Sequence, residues 1–172
     1  IDTEYTRPSK LADDYTTSLD VLYDALKWYR NNVNDMTYVL MVYPTAILIK
    51  IDHIYKAFSK MNTINSPDVI FAATEFGFPI QRAIFENDDE YVKPRENKYI
   101  NARSQDLKKY FHDAGQFYLF KASSIKKTMN LSSLKAKIVK LQRTEVVDID
   151  EFSDLKLAEI LLKYSNEETN KK

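Results

Sequence analysis

The chain contains no cysteine and only two glycines among its 172 residues. The absence of cysteine excludes disulfide bonds, thiolate metal sites and cysteine nucleophiles. No apolar run approaches the roughly 18 to 20 residues that a membrane-spanning helix requires, and the opening stretch IDTEYTRPSK lacks the basic and apolar regions of a signal peptide. These absences predict a soluble protein with no membrane partner, and they fit a cytoplasmic location.

An excess of charge of one sign is also lacking, because 25 Lys and Arg residues balance 25 Asp and Glu residues. The composition therefore gives no general attraction to nucleic acid or to anionic membranes. A hydrophobic share of 44% and an aromatic share of 13% are typical of a globular domain. We interpret residues 1–165 as one domain that can bury a core, and residues 166–172 as a frayed tail.

Short apolar runs alternate with helical patterns along the chain. The spacing predicts helices over 18–32, 51–61, 122–129 and 153–164, and buried strands over 38–42, 69–73, 117–120 and 136–141. Over 76–101 the pattern loosens into an excursion that is partly β. Strands that alternate with helices predict an α/β fold, with a mainly parallel, Rossmann-like sheet and helices on both of its faces.

Ligands of such sheets bind beyond the carboxyl ends of the strands. Thr45 follows one predicted strand, although Tyr43 to Ala46 could equally be an ordinary turn. Asp148 and Asp150 follow the last strand, and residues at i and i+2 of an extended segment point the same way. Two carboxylates on one side suit Mg²⁺, which prefers hard oxygen ligands. The alternative is that Asp150 caps the final helix while Asp148 is solvated.

A third polar group precedes the run from Phe117 to Phe120. Arg103 could pair with a carboxylate or phosphate, Gln105 can donate and accept, and Asp106 can accept from hydroxyls, a set that suits a polyhydroxylated acidic ligand. The alternative is a loop that faces solvent. The two histidines share no metal-ligand spacing, so we predict structural or exposed positions for both. Gly115 indicates a positive φ or a close approach by another group.

Six motifs, in their order along the chain, resemble those of the nonulosonic acid cytidylyltransferases. The resemblance extends over nearly the whole chain, and its motifs are RP with LADD, YPTA, FPIQRA, RSQDL, HDAGQFY and VVDID. FPIQRA and HDAGQFY are most similar to the branch of the family that uses pseudaminic acid.

The resemblance implies a nucleotidyltransferase fold and a reaction in which CTP and a nine-carbon acidic sugar give a CMP-sugar and pyrophosphate, with Mg²⁺ as the cofactor. It further implies a homodimer in which the excursion crosses to the partner, and a close approach of Gly115 to the sugar pocket. The implied roles are metal binding and catalysis for Asp148 and Asp150, sugar binding for Arg103, Gln105, Tyr118, Gln81 and Arg82, and nucleotide contacts for Arg7, Asp14 and Thr45.

The chain departs from the family pattern at its phosphate-binding loop. Gly77 and Gly115 are its two glycines, so it lacks the Gly-rich basic loop that cradles the CTP phosphates in the family. Ile47 also stands where a second proline commonly follows. We expect the N-terminal loop segment to be missing and these residues by themselves to be inactive or weak. The alternatives are a truncated, non-catalytic remnant that binds or dimerises, and an α/β binding domain with coincidental motifs.

Overall fold

The computed structural model describes the backbone of residues 4–170 and the side chains of residues 4–167. Within these residues the α-helices are α1 (Ser18–Asn32), α2 (Ile51–Met61) and α3 (Phe152–Asn170). The strands are β1 (Tyr38–Val42), β2 (Val69–Glu75), β3 (Ile84–Glu86), β4 (Val92–Pro94), β5 (Phe111–Lys121) and β6 (Ala136–Leu141). No helix in this part of the chain is long and apolar enough to cross a membrane.

The central sheet has the strand order β1-β5-β2-β6. β2 pairs with β6 in parallel, whereas β5 is antiparallel to both β1 and β2. Strands β1, β2 and β6 therefore run in one direction and β5 opposes them. The prediction of an α/β fold with a parallel-containing sheet is confirmed, and the structure adds the reversed strand at its centre.

Helices cover both faces of this sheet, as predicted. On one face Leu26 of α1 packs with Tyr118 and Phe120 of β5. On the other face Met61 of α2 packs with the neighbouring strand residue Leu119. Consecutive side chains of a strand point to opposite faces of the sheet. The apolar run from Phe117 to Phe120 in β5 therefore contributes to the core on each face.

Two predicted elements were wrong in extent. The predicted helix over 122–129 is a single 3-10 turn, Ala122–Ser124, and Thr128 has a positive φ of 59°. The strand predicted over 117–120 begins at Phe111, because its polar first half pairs with the end of β2, where Glu75 lies opposite Phe111. Local composition gives a polar half-strand the signature of a loop, and pairing with β2 overrides it.

The final helix and the tail also differ from the prediction. α3 continues beyond Tyr164 to Asn170, so residues 166–170 are helical rather than a frayed tail. The remainder of the predicted tail, 171–172, lies outside the described residues, as does 1–3 at the start of the predicted domain.

The excursion over 76–101 contains the small antiparallel sheet of β3 and β4. It is partly β, as predicted. Five of its apolar side chains are more than half exposed: Phe78, Ile84, Phe85, Tyr91 and Val92. This amount of exposed apolar surface on one segment is typical of a region that contacts another molecule.

Candidate active site

Four chain segments meet at the carboxyl-terminal edge of β1, β2 and β6. Because β5 runs the other way, its beginning lies at the same edge. The amide of Tyr43 donates to the carbonyl of Gln116 over 2.9 Å, and that of Phe76 donates to the carbonyl of Tyr110 over 3.1 Å. The segment after β6 completes the group. This is the edge at which α/β sheets bind their ligands.

Gly115 brings the start of β5 against the segment after β6. Its φ is +60°, and a β carbon at this position would lie 3.4 Å from Oδ1 of Asp148. Of the two explanations offered by the sequence, the left-handed backbone applies, because a β carbon would make only an ordinary van der Waals contact with Asp148. Gly115 also donates its amide to Oδ1 of Asp113 over 2.9 Å, which fixes the turn.

Tyr118 and Asp113 form a partly buried hydrogen bond next to this turn. The Tyr118 hydroxyl donates to Oδ2 of Asp113. Burial first, and then the hydrogen bond to Asp113, raise the pKa of Tyr118 above its ordinary value, so the phenol stays protonated and acts as a donor. The ring is 5% exposed and stacks on Phe71, with centroids 5.7 Å apart.

Asp148 and Asp150 present carboxylates that no other described side chain engages. Both side chains are exposed, and neither carboxylate has a hydrogen-bond or ion-pair partner among the described residues. The amides of Asp150 and Glu151 donate instead to Oδ2 of Asp154, at 3.2 and 2.9 Å. Asp154 thus holds the start of α3, and the alternative in which Asp150 caps that helix does not hold.

The two free carboxylates fit the donor chemistry of Mg²⁺, which binds one or two carboxylates and takes waters and substrate phosphates as its other ligands. They would be incomplete as an all-protein metal site. Within residues 4–167 no group of three or more His, Asp or Glu side chains could hold a metal ion.

The second glycine of the chain also makes room for a charged side chain of the segment after β6. A β carbon on Gly77 would lie 2.7 Å from both Cζ and Nη2 of Arg143. The guanidinium of Arg143 therefore lies directly over the backbone of Gly77, where β2 ends. Both glycines of the chain thus admit charged groups from one segment.

Glu145 anchors that segment to the rest of the site. Its carboxylate accepts from Nζ of Lys50 over 2.8 Å and lies 3.6 Å from Nε2 of His53, while its carbonyl accepts from the buried amide of Gln116 over 2.5 Å. Burial raises the pKa of Glu145, but the hydrogen bonds from Lys50 and from the amide of Gln142 outweigh it, so the pKa lies below its ordinary value. Burial lowers the pKa of His53, which is therefore held neutral.

Comparison with known proteins finds relatives over nearly the whole chain. A pseudaminic acid cytidylyltransferase of Campylobacter jejuni subsp. jejuni serotype O:2 is 34% identical over 163 residues, which are 95% of this chain and 70% of that protein. The enzyme of the same name from serotype O:23/36 is 33% identical over equal shares of both chains. The chain belongs to the nonulosonic acid cytidylyltransferase family.

The fold agrees with this family. A solved structure of CMP:2-keto-3-deoxy-manno-octonic acid synthetase complexed with CTP superposes with a TM-score of 0.55, over 90% of this chain and 70% of that chain. At 9% identity the likeness concerns the fold alone. No family model matches the chain.

Among the residues predicted for the sugar side of this cytidylyltransferase, the structure brings four together. Arg103 donates to Oε1 of Gln105 over 2.9 Å, and Arg82 donates to the hydroxyl of Ser104 over 3.3 Å. Gln81 is buried and donates to the carbonyl of Lys108 over 2.8 Å, while its own Oε1 has no partner in the described protein. The fifth residue, Tyr118, is buried against the sheet, and its hydroxyl donates to Asp113.

The residues predicted for the nucleotide side are less closely grouped. The Arg7 side chain donates to the carbonyl of Leu11 and lines a cavity of about 320 Å³ that Tyr43 also lines. Thr45 lies half-buried in the turn after β1, where its carbonyl accepts from the amide of Ile47 over 2.8 Å. Asp14 is exposed near the start of the described chain. The roles of all ten residues remain predictions.

The sequence interpretation missed Lys50, Gln116, Arg143 and Glu145. A signal existed for Gln116, since it is the one amide at the start of an otherwise apolar run. No local signal existed for Lys50 and Glu145, because the contact joins positions 95 residues apart. His53 was predicted to be structural or exposed, and it is buried at 4% exposure.

Proposed function

We propose that the protein joins CTP to pseudaminic acid, giving the CMP-sugar and pyrophosphate. The observation that carries the proposal is the position of Asp148. In a chain of this family, its carboxylate has no partner among residues 4–167 and lies beside Gly115 at the carboxyl edge of the sheet. That edge is where α/β proteins bind phosphorylated ligands.

The chemistry is an in-line displacement at phosphorus. The anomeric hydroxyl oxygen of the sugar acid forms a bond to the α-phosphorus of CTP, and the bond from that phosphorus to the oxygen bridging to the β-phosphate breaks. The hydroxyl proton passes to solvent water, and pyrophosphate leaves with the electrons of the broken bond. Catalysis of such transfers depends mainly on positioning and on neutralising charge. In this proposal Arg82, Arg103 and Gln105 orient the sugar acid, while Arg7 and Thr45 frame the nucleotide.

Asp148 and Asp150 would hold Mg²⁺ in this proposal. A bound Mg²⁺ would neutralise charge on the phosphates during the displacement. What supports the assignment is that both carboxylates are exposed and unpartnered in the described protein, whereas the neighbouring Asp154 is engaged at the start of α3.

We further propose a cytoplasmic homodimer in which the excursion over 76–101 contacts the partner. The support for the dimer is the exposed apolar surface of the excursion, including Phe78, Phe85 and Tyr91. The support for the compartment is the absence of cysteine from the 172 residues.

A specific observation favours a second function, that of a non-catalytic module that binds ligand or dimerises. The two glycines of these 172 residues are both engaged at the sheet edge, so none of these residues forms a Gly-rich phosphate loop. Removing such contacts takes away transition-state stabilisation on the scale of about 10² to 10³ in rate for one donor. These residues by themselves are therefore expected to turn over slowly or not at all.

The test is pyrophosphate release from CTP, Mg²⁺ and a panel of nonulosonic acids. It compares these 172 residues with the protein as its gene encodes it. Turnover with pseudaminic acid, and not with its stereoisomers, supports the proposal and names the substrate. Silence of both proteins with every acid, despite intact folding, favours the non-catalytic module.

A further inference from the structure

Arg143 is a cation at the candidate site that the sequence did not single out. It opens the 3-10 turn Arg143–Glu145, directly after β6. Its guanidinium lies over the backbone of Gly77, in space that the side chain of any other residue at position 77 would fill. The end of β2 is therefore shaped to admit this group.

The backbone beneath Arg143 is held at three points. Gln142 and Glu145 form a reciprocal capping box, Lys50 pairs with the Glu145 carboxylate, and Gln116 donates to the Glu145 carbonyl. By contrast, the guanidinium itself makes no hydrogen bond or ion pair with any residue over 4–167. An anchored backbone with an unpaired cation at its end leaves five N–H donors for a ligand.

We propose that Arg143 binds an anionic group of the bound substrate, either the carboxylate of the sugar acid or a phosphate of CTP. The inference rests on the proposed function. A planar guanidinium pairs with either group through two parallel hydrogen bonds, which fixes orientation as well as charge. Asp148 belongs to the same anchored segment and lies beside Gly115 of β5. The segment therefore offers both a cation and a carboxylate to a ligand.

The test measures KM and kcat for CTP and for pseudaminic acid in the full-length protein. Arg143→Gln is expected to raise the KM of one substrate by about tenfold or more, as loss of a charge-assisted hydrogen bond does. Arg143→Lys keeps the positive charge but cannot form the two parallel hydrogen bonds of a guanidinium. It should therefore restore the KM of the wild type only in part. A rise confined to pseudaminic acid identifies the carboxylate, and a rise confined to CTP identifies a phosphate.

Gly77→Ala is a second probe of the same contact. The new β carbon meets only the end of a flexible side chain, so the variant should fold while its guanidinium is displaced. If Gly77→Ala acts only by displacing Arg143, it should not change KM further in a protein that already carries Arg143→Gln. If Gly77 has only a structural role, its effect on KM should be the same in both backgrounds.

A measurement without turnover separates this inference from the proposed function. The Nε resonance of Arg143 is followed by nuclear magnetic resonance while pyrophosphate or pseudaminic acid is added. A shift with either anion in a protein that does not turn over would retain the inference and remove the proposed function. Normal turnover with unchanged KM values in Arg143→Gln would overturn the inference alone. Absence of both turnover and shift would overturn both.

Discussion

Gly115 lies beside the carboxylate of Asp148, where a β carbon on the glycine would make van der Waals contact with Oδ1 at 3.4 Å. The contact joins β5 to the segment after β6 at the edge where the parallel strands end. Neither residue is buried deeply enough for the contact to serve the core. The contact lies at the edge of the sheet, where the candidate site is.

Substitution of Gly115 should lower stability through the left-handed backbone at this position. Gly115→Ala forces an L-residue into a left-handed conformation, which costs about 1–2 kcal/mol in the free energy of unfolding. Gly115→Asn tolerates that φ better, and the β carbon of either variant would make only an ordinary van der Waals contact with Asp148. We therefore expect Asn to recover part of the stability that Ala loses.

Urea unfolding of the full-length protein measures the effect. Gly77→Ala is the matched control for stability alone, since φ at Gly77 is not in the left-handed region, and it should leave the free energy of unfolding nearly unchanged. An equal loss of stability in Gly115→Ala and Gly115→Asn would contradict the assignment of the loss to φ.

Removal of the unpartnered carboxylates should lower activity without unfolding the protein. Asp148→Asn and Asp150→Asn are each expected to reduce kcat by about 10² to 10³, the scale of one lost electrostatic contact in a transition state. Both side chains are exposed and unpaired in the described protein, so the melting temperature should hardly change. The Mg²⁺ concentration for half-maximal rate should rise in both variants.

Asp154→Ala serves as the control for these substitutions. It removes the acceptor of two amides at the start of α3, which should cost about 1 kcal/mol of stability. Its kcat should stay within a few-fold of the wild type because Asp154 is engaged by backbone. Equal losses of kcat in all three variants would mean that the segment matters only as structure.

Local sequence patterns predict those helices and strands whose form does not depend on distant parts of the chain. The predicted bounds of α1, α2, β1 and β6 agree with the structure because the apolar pattern of each segment is clear on its own. The first half of β5, with His112 and Asp113, has a polar composition, and only its pairing with β2 makes it a strand. Local patterns also carry no information on the direction of β5.

The same distinction applies to the candidate site. Asp148 and Asp150 could be selected from sequence because they follow a strand and lie two positions apart. Arg143 and Glu145 could not, since their environment is made by residues far away in the chain, Gly77 for one and Lys50 for the other. The sequence interpretation likewise missed the role of Asp154, whose side chain accepts from the amides of Asp150 and Glu151 just before the first turn of α3.

The apolar side chains of the excursion predict the oligomeric state. Phe85 of β3 is 53% exposed. Contact with a second copy of the chain would bury this side chain. Phe85→Glu should shift the protein from dimer to monomer in sedimentation velocity at micromolar concentration. Ile64→Glu, at an exposed apolar position outside the excursion, is the control and should leave the dimer intact. A wild type that is monomeric at all concentrations would contradict the homodimer.

His53 and Glu145 should make the free energy of unfolding fall as the solution is acidified. Burial lowers the pKa of His53 from its ordinary 6.5, so its contribution to stability is complete above 6.5 and is lost as pH falls through the lower folded value. The pKa of Glu145 is also lowered, from 4.5, so its contribution is lost in a more acidic range below that value. The first loss to appear on acidification therefore belongs to His53. We expect urea unfolding to give a lower free energy at about pH 5 than at neutral pH.

Substitution of each histidine tests this assignment. His53→Gln removes the titrating group, so it should flatten the pH dependence between neutral pH and about pH 5, whatever it does to the absolute stability. His112→Gln is the matched control, because His112 is exposed while His53 is buried among Lys50, Lys56 and Glu145. It should retain the slope of the wild type. An equal slope in the wild type and both variants would mean that the pKa of His53 does not differ between the folded and unfolded states. Another group would then cause the acid sensitivity.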